Sequence, residues 1–345
     1  MMMKWYDVPG NQDSNVVYSR IRLVRNWADY PFSGKMTEEQ SRELVDQLKE
    51  KMKDVGDFDG AKFRYWNLQQ FSDLEKRALW ERRAINRSLA KKTEPTGLYL
   101  SADERASIAL GGDDHVRIQV VEKGLNLLEC YRRADALDDW ISEKIEYAYD
   151  EKYGYLTAFP TNVGTGLRAS VVLHLPMLSR KKNFNSLVAD MGRFGTIIRG
   201  VIGEGSENYG SLYQVSNQKT LGQTEKDIVD LVYKAAMELD AQERRLRKES
   251  LIKHPVMSTD ECYKSYGVLK YARRLTGKDS MGFLSQLMAG VTDGILQTEE
   301  PCSIYSLILG SQPANLLGRA ERPLNKEELE VERADFIREH LPEIH

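Results

Sequence analysis

The chain has 345 residues, of which 41% are hydrophobic and 29% are charged, a balance typical of a soluble protein with about two domains. Its 49 basic and 52 acidic residues give a net charge of -3, which argues against the basic surface of a general nucleic-acid-binding protein. Three scattered cysteines and the lack of long apolar runs exclude a disulfide framework, a structural zinc site and a membrane span. We therefore expect a cytoplasmic protein that binds neither nucleic acid nor membrane.

The first part of the chain predicts one extended segment and two helices. Ser19–Asn26 alternates between polar and apolar side chains, as a strand does. Thr37 and Gln40 then have the spacing of a capping box, and apolar residues recur at helical period as far as Val55. A second helix, rich in charge, is expected over Ser72–Ala90.

Residues 97 to 216 contain short β-prone runs separated by turn residues. Helical patterns interrupt them mainly at Leu125–Glu146 and Asn183–Met191. The runs are Gly97–Leu100, Ala106–Leu110, Val116–Val121, Gly154–Phe159, Arg168–Leu175, Thr196–Ile202 and Ser211–Val215. Clustered strands with few alternating helices predict an α+β domain built on a largely antiparallel sheet.

After Asn217 the pattern becomes helical. Thr224 is placed to cap a long helix that continues to Glu249, and Lys253–Met257, which contains Pro255, predicts a linker. The later helical segments are Asp260–Leu275, Ser280–Leu296, Ile304–Leu309 and Lys326–Leu341. The chain should therefore divide into an α+β domain over residues 1–252 and a small helical domain over residues 253–345.

Arginines in the strand-like runs are the first candidates for function. Alternation places Arg20 and Arg22 on one face of their segment and Ile21 on the other. Two guanidinium groups on one face repel each other unless an anion lies between them, and a polyphosphate matches their geometry. The alternative is a strand face whose charges are solvated by water.

Further arginines stand in comparable places. Arg117 lies in another strand-like run, Arg168 follows the glycine-bearing turn Asn162–Gly166, and Arg199 opens a glycine-rich segment. The sequence contains neither GxxxxGK[ST] nor a GxGxxG motif after a strand, so the two usual nucleotide-binding loops are missing. Several arginines could instead neutralise a triphosphate and the charge that spreads over a transferring phosphoryl group.

A second group of candidates is acidic. Asp113 and Asp114 are adjacent, so only one of them can face a pocket from a strand, and Glu204 and Glu207 lie in a glycine-rich loop. Two carboxylates from different segments could hold a planar guanidinium group and accept its proton. The alternative is that they cap turns or lie in solvent.

Four of these runs, in this order, resemble motifs of the guanidino (phosphagen) kinases. They are Ser19–Asn26, Asp113–Gln119, Pro160–Arg168 and Arg199–Glu204, and Val215–Asn217 followed by Leu221 and Gly222 is also similar. Creatine and arginine kinases carry a helical domain before the first motif, for which there is no room here. Instead a helical extension that includes Gln312-Pro313-Ala314 follows, as in the bacterial branch of the family that phosphorylates arginines of proteins.

The resemblance implies an antiparallel β-sheet flanked by helices, then an all-helical domain for dimerisation and substrate recruitment. Asp113 and Glu204 match the two catalytic carboxylates, and Mg²⁺ would bridge the ATP phosphates without protein side chains as ligands. The matching ATP-binding positions are Ser19, Arg20, Ile21 and Arg22, Arg117, Arg168, Ala169, Ser170, Val171 and Val172, and Arg199, Gly200, Val201, Ile202 and Gly203.

Several positions differ from the family pattern. The family's Asn-Glu-Glu-Asp-His motif is Gly111–His115 here, Phe159 replaces a cysteine, and Arg83 stands where a histidine associated with nucleotide binding is frequent. A phosphoarginine pocket of the helical domain is represented by Glu330, Arg333 and Ala334, with a leucine in place of its first arginine. His115 and His174 are expected to be structural.

The resemblance also implies partners and alternatives. The expected function is ATP-dependent phosphorylation of exposed arginines in proteins, by a homodimer that works in protein quality control and the stress response with a zinc-binding activator and a Clp protease. Because Gly111, Gly112 and Phe159 alter the substrate side only, a nucleotide-binding adaptor with weak catalysis is one alternative. A kinase of a free guanidino metabolite is the other.

Overall fold

The computed structural model describes residues 2–10, 14–201, 208–320 and 322–345. Within them the strands are β1 (Val16–Arg25), β2 (Phe63–Asn67), β3 (Gly97–Ser101), β4 (Ala106–Leu110), β5 (Val116–Lys123), β6 (Tyr149–Asp150), β7 (Gly154–Tyr155), β8 (Leu167–His174), β9 (Thr196–Gly200) and β10 (Leu212–Asn217). The helices are α1 (Glu38–Lys51), α2 (Asp73–Glu81), α3 (Arg87–Lys91), α4 (Leu127–Ser142), α5 (Phe184–Arg193), α6 (Glu225–Lys253), α7 (Pro255–Tyr271), α8 (Gly277–Thr292), α9 (Ile304–Gly310), α10 (Pro313–Leu317) and α11 (Lys326–His340).

One large sheet organises the first domain. Its strands follow the order β2-β3-β4-β5-β1-β8-β10-β9, and every described neighbour pair is antiparallel. The first strand of the chain therefore lies in the middle of the sheet, between β5 and β8. The predicted α+β class with an antiparallel sheet is confirmed.

The two faces of the sheet are covered differently. On one face Ile21 and Leu23 join the main hydrophobic core, which α1, α4 and α6 complete. The opposite face carries Arg20 and Arg22. Helices α2 and α3 cover that face near the β2 edge, and the C-terminal helices cover it around Tyr18. A polar strip with the arginines is left between these two covers.

Local sequence explains where the helices begin. Thr37 caps α1 and Thr224 caps α6, each in a capping box with the residue three positions later, as the sequence predicted. The linker predicted over Lys253–Met257 is wrong, because α6 ends at Lys253 and only His254 separates it from α7. Pro255 occupies the first turn of α7, where its missing N–H costs nothing.

Other elements also differ from the sequence prediction. The helix expected over Ser72–Ala90 is divided into α2 and α3, with Arg83 in a left-handed conformation at φ 70° between them. The strand expected over Gly154–Phe159 is limited to the two residues of β7. Strand β2 and helix α10 were not predicted. No helix in the described residues is both long and apolar enough to cross a bilayer.

Candidate active site

The register of the central strands brings the predicted arginines together. Arg22 on β1 lies directly opposite Arg168 on β8 and opposite Gln119 on β5. Arg117 is two residues from Gln119, so it shares the face of Arg22. Arg20, two residues before Arg22, is opposite Ser170. Arginines that are far apart in sequence thus form one cluster on one sheet face.

Arg20 is held by neutral hydrogen-bond partners. Its Nε donates to the Ser170 hydroxyl at 3.3 Å, and its Nη2 donates to Oε1 of Gln214 on β10 at 2.6 Å. Among the residues that the structure describes, none of the clustered guanidinium groups lies within 4 Å of a carboxylate oxygen. Nε of Arg22 is buried and lacks any hydrogen-bond partner there.

The electrostatics of the cluster match this geometry. Burial lowers the pKa of Arg22 well below its usual range, and the charges of Arg20, Arg117 and Arg168 lower it further. Burial and the charge of Arg20 lower the pKa of Arg117 to about 10, against the opposite effect of Asp113 and Asp114. The cluster therefore favours a polyanion such as a nucleotide triphosphate, which would satisfy the free donor and offset the repulsion.

Arg199 extends the cluster at its outer edge. It lies on β9 opposite Gln214, which in turn lies opposite Val172 on β8. The Arg199 side chain is exposed, and its charge contributes, after burial, to a lowered pKa of Arg168. Arg199 is therefore the outermost arginine of the cluster and is accessible from solvent.

An open cleft of about 270 Å³ lies between the arginine cluster and an acidic loop. Arg22, Arg117 and Arg168 line one part of it, while Asp113 and Phe159 line another. Phe159 is 49% exposed, so its ring is accessible at the mouth of the cleft. Cationic and acidic groups thus meet in one space, as transfer between a phosphate and a cationic acceptor requires.

Asp113 is positioned by two residues that sequence reasoning missed. The Ser88 hydroxyl on α3 donates to Oδ1 of Asp113 at 2.7 Å. Lys92 donates through Nζ to the carbonyls of Gly111 and Gly112 at 2.9 and 3.0 Å and so ties down the loop before Asp113. Asp113, one of the two carboxylates predicted from the sequence, lines the cleft. Glu204, the other, lies outside the described residues together with Ile202 and Gly203.

Asp114 and His115 hold the loop in place, and a structural role was predicted for His115. Asp114 is buried and accepts hydrogen bonds from Asn26 at 2.8 Å and from the backbone N–H of Ala158 at 2.7 Å. His115 accepts a hydrogen bond at Nδ1 from the N–H of Trp27 and donates from Nε2 to a backbone carbonyl. Burial lowers the pKa of His115 to about 4, so the ring is neutral and holds the loop.

The loop on the other side of the cleft needs glycine for its approach to the sheet. Gly166 has φ +62°, and a Cβ there would lie 2.6 Å from the carbonyl oxygen of Val24 and from a guanidinium nitrogen of Arg25. Arg25 is buried, bonds Asp138 through Nη2 at 2.6 Å and donates to the carbonyl of Thr165 at 2.9 Å. This ion pair anchors the turn that leads into Arg168.

Not every predicted ATP-binding side chain faces the cleft, because side chains alternate along a strand. Ser19 lies on the opposite face, where its hydroxyl donates to the carbonyl of Gly124 at 2.8 Å and accepts from the N–H of Asn126. The side chains of Ile21, Ala169 and Val171 lie in the core on that same face, and Val172 packs against the C-terminal helices. These five positions therefore do not present their side chains to the cleft. Gly200 and Val201 follow Arg199 at the end of β9.

The predicted phosphoarginine pocket is filled by contacts within the protein. Arg333 is buried and donates to the carbonyls of Ser311 and Leu275 at 3.1 and 2.9 Å. Glu330 is paired with Arg274 at 2.7 Å, and Ala334 lies in the core of the helical domain. As placed here, these residues stabilise the C-terminal domain and present no free charge to a ligand.

The other candidate residues have structural roles. His174 is buried and its Nε2 contacts the hydroxyl of Ser285 on α8 at 2.7 Å. Cys130 and Cys262 are buried, and Cys302 is half-buried. The described residues contain no group of three or more His, Cys, Asp or Glu side chains arranged to hold a metal ion.

Comparisons with known proteins agree with this geometry. Residues 43–246 match the family described as ATP:guanido phosphotransferase, C-terminal catalytic domain, and residues 255–345 match the Protein-arginine kinase McsB C-terminal domain. The protein-arginine kinase of Bacillus mycoides is 38% identical over 339 residues, which cover 98% of this chain and 95% of the relative. That of Bacillus velezensis is 36% identical over 340 residues, covering 99% and 93%.

A solved structure shows the same fold. The duplicated taurocyamine kinase from Schistosoma mansoni, with bound transition state analog components, superposes with a TM-score of 0.60 at 26% identity. The match covers 68% of this chain and 34% of that longer chain. Because both domains match and the curated relatives align over nearly their whole length, the chain belongs to the ATP:guanido phosphotransferase family and, within it, to the protein-arginine kinases.

Proposed function

We propose that this kinase transfers the γ-phosphoryl group of ATP to the guanidinium group of arginine side chains in protein substrates. The observation that carries the proposal is the cluster of Arg20, Arg22, Arg117 and Arg168, whose charges face one another without a carboxylate partner among the described residues. Such a cluster is unfavourable by itself and favourable around a polyphosphate.

The clamp supplies charge neutralisation. Arg22, Arg117 and Arg168 would hold the phosphates. Arg20, bonded to Ser170, would add positive charge from the neighbouring pair of residues on the same sheet face. Arg199 would reach the outer phosphates. Mg²⁺, when bound with the nucleotide, would offset the charge of the transferring group. These positions neutralise charge in the transition state without any covalent enzyme intermediate.

The acidic side of the cleft would hold the acceptor. A guanidinium nitrogen of the substrate arginine forms the new P–N bond as the bond between γ-phosphorus and the bridging oxygen breaks, and ADP leaves. The nitrogen loses a proton, which Asp113 accepts while Glu204 holds the rest of the guanidinium group. Phe159 at the mouth offers an apolar surface to the methylene groups of the arginine side chain.

The partners and the domain roles are also proposals. Residues 1–252 would form the catalytic domain, and residues 253–345 would recruit substrates and form a homodimer. The match to the catalytic-domain family ends at residue 246, and the match to the C-terminal domain begins at residue 255, so the proposed boundary lies between them. The family further supports a cytoplasmic role in protein quality control under stress, with a zinc-binding activator and a Clp protease.

The test uses the purified protein with Mg-ATP and casein, followed by mass spectrometry under non-acidic conditions that preserve the P–N bond. Phosphoarginine is expected with the wild type and is expected to be absent with Arg199→Ala. Arg132→Ala, which removes an exposed arginine on α4, is the matched control and should label normally.

Two results would contradict the proposal. ATP binding without any phosphoarginine would favour the nucleotide-binding adaptor. Rapid ADP release with free arginine, but no labelled protein, would favour a kinase of a guanidino metabolite.

A further inference from the structure

Three loops beside the cleft are joined to one another by hydrogen bonds. Tyr155 of the β6–β7 hairpin and Gly164 exchange two backbone hydrogen bonds, at 2.8 and 3.3 Å. The Thr220 hydroxyl, on the segment after β10, donates to the carbonyl of Val163 at 2.7 Å, and the N–H of Thr165 donates to the carbonyl of Thr220 at 3.2 Å. The hairpin, the turn before β8 and the segment after β10 therefore hold fixed positions relative to one another.

The turn and the segment after β10 are in close backbone contact. Gly164 has φ +111°, and a Cβ there would lie 2.4 Å from the carbonyl oxygen of Thr220 and 2.8 Å from Cα of Leu221. Only glycine allows this approach. Leu221 is thus held directly beside the turn.

Each of the three loops presents a large apolar side chain to solvent. Tyr149 and Tyr153 of the hairpin, Phe159 of the turn and Leu221 are between 47% and 59% exposed. The Tyr149 ring also packs edge-on against Tyr155, with centroids 5.3 Å apart, so its position is fixed although it is accessible. We refer to Tyr149, Tyr153, Phe159 and Leu221 as the apolar rim. Apolar surface grouped in this way is typical of a protein-binding site, whereas single exposed apolar residues are not.

The apolar rim begins at the mouth of the cleft. Phe159 and Asn162 both line the cleft, and the N–H of Asn162 donates to the carbonyl of Phe159 at 2.9 Å. This hydrogen bond closes the turn that leads from the cleft to Gly164. The rim is therefore continuous with the space in which Asp113 lies.

The border of the cleft formed by α3 has a different character. This helix lines the cleft through Asn86 and Leu89, but its exposed side chains are those of Arg87, Ser88 and Lys91. They offer charge and hydrogen bonds to a ligand outside the cleft. Large apolar side chains are exposed on the side of the rim.

We propose that the apolar rim binds the residues that flank the acceptor arginine, and that it favours protein segments with aromatic or aliphatic side chains there. The inference rests on the proposed function, because it assumes that a protein arginine enters the cleft. An extended polypeptide advances about 3.4 Å per residue, so residues about two to five positions from that arginine would pass over the rim. Their apolar side chains would leave water by packing on the tyrosine rings and Leu221.

The experiment compares two synthetic peptides that have one arginine each and the same length and net charge. One peptide has leucine and tyrosine at the flanking positions, and the other has serine there. Phosphoarginine is measured with Mg-ATP by mass spectrometry under non-acidic conditions. The wild type should have a kcat/KM about three- to tenfold higher for the apolar peptide.

Variants of the rim show whether it is the source of this preference. Tyr149→Ser and Leu221→Ser should each lower kcat/KM for the apolar peptide about two- to fivefold, and the double variant should have no preference. Unchanged kcat/KM for the serine peptide shows that these variants are folded and active. Tyr271→Ser, which removes a ring that is 71% exposed on α7, is the matched control and should keep the full preference.

Three results would overturn the inference. The first is equal kcat/KM of the wild type for both peptides, or a preference that the double variant keeps. The second is an equal loss of preference in Tyr271→Ser. The third is a change in oligomeric state, seen by size-exclusion chromatography, with an unchanged preference, because the rim would then be a contact between two copies of the chain.

Casein labelling in the same series separates this inference from the proposed function. If casein is labelled and the wild type labels neither peptide, or labels both equally, this inference alone is overturned. If neither casein nor either peptide acquires phosphoarginine, the proposed function is overturned and this inference with it.

Discussion

Replacing Arg22 by methionine should stabilise the protein without nucleotide and abolish nucleotide binding. Arg22 lies opposite Arg168, and its neighbours Arg20 and Arg117 add further positive charge. Two unit charges about 6 Å apart repel by roughly 3 kcal/mol at an effective dielectric constant of about 20. Water and counterions screen much of this repulsion, so we expect the free energy of unfolding to rise by about 1–2 kcal/mol.

A second arginine on the same strand provides the matched comparison. Arg25 is buried and paired with Asp138 at 2.6 Å, so Arg25→Met leaves a carboxylate without its partner. That substitution should lower the free energy of unfolding by about 3–5 kcal/mol. Replacing arginine by methionine at these two positions of β1, three residues apart, should therefore change the free energy of unfolding in opposite directions.

The assay is urea denaturation of the wild type and both variants, with and without Mg-ATP. Nucleotide should stabilise the wild type by mass action and should leave Arg22→Met unchanged. Without nucleotide, the midpoint of Arg22→Met should lie above that of the wild type. If Arg22→Met is as destabilised as Arg25→Met, the charge of Arg22 is already compensated within the protein and the reasoning about the clamp fails.

Three further predictions concern the acidic side of the cleft and its support. Asp113→Ala and Glu204→Ala should each abolish phosphoarginine formation while ATP still binds, and near-full activity of either variant would exclude that carboxylate from the reaction. Lys92→Met removes the hydrogen bonds to the carbonyls before Asp113. It should lower kcat about tenfold or more and leave the Kd for ATP unchanged. A higher Kd for ATP would instead place Lys92 in the nucleotide site. His115 has a pKa lowered to about 4 against about 6.5 when unfolded, so its contribution to stability is complete above about pH 6.5 and is lost as the pH falls toward 4. His115→Asn should therefore flatten the fall in unfolding free energy over that range in urea titrations, and an unchanged slope would contradict this assignment.

Patterns local in sequence determined much of the fold. The capping boxes at Thr37 and Thr224 specify where α1 and α6 begin, because the donors and acceptors are three residues apart. Strands such as β4 and β5 follow from β-prone runs between turn residues, and the alternation in Ser19–Asn26 correctly puts Arg20 and Arg22 on one face. The order of the motifs was also sufficient to identify the family.

Local patterns failed where distant contacts outweigh them. Arg83 breaks the helix predicted over Ser72–Ala90, because its neighbours are bound to α10 and its carbonyl to Gln119. The proline-containing linker was predicted from the sequence of Lys253–Met257, but packing lets Pro255 begin α7 directly. Phe63 and Tyr65 are aromatic residues two positions apart, a pattern typical of strands, so the edge strand β2 could have been predicted from them.

The candidate site shows the same division. The sequence by itself determined which residue types are present and, through the motif order, which of them belong to one site. Only the tertiary structure decided which side chains meet there, because strand register and the sheet's two faces are set by pairings between residues roughly ninety or more positions apart. That register placed Arg22 against Arg168 and turned Ser19 away from the cleft, and the packing of α9 brought Tyr305 of the last domain beside Tyr18 on β1.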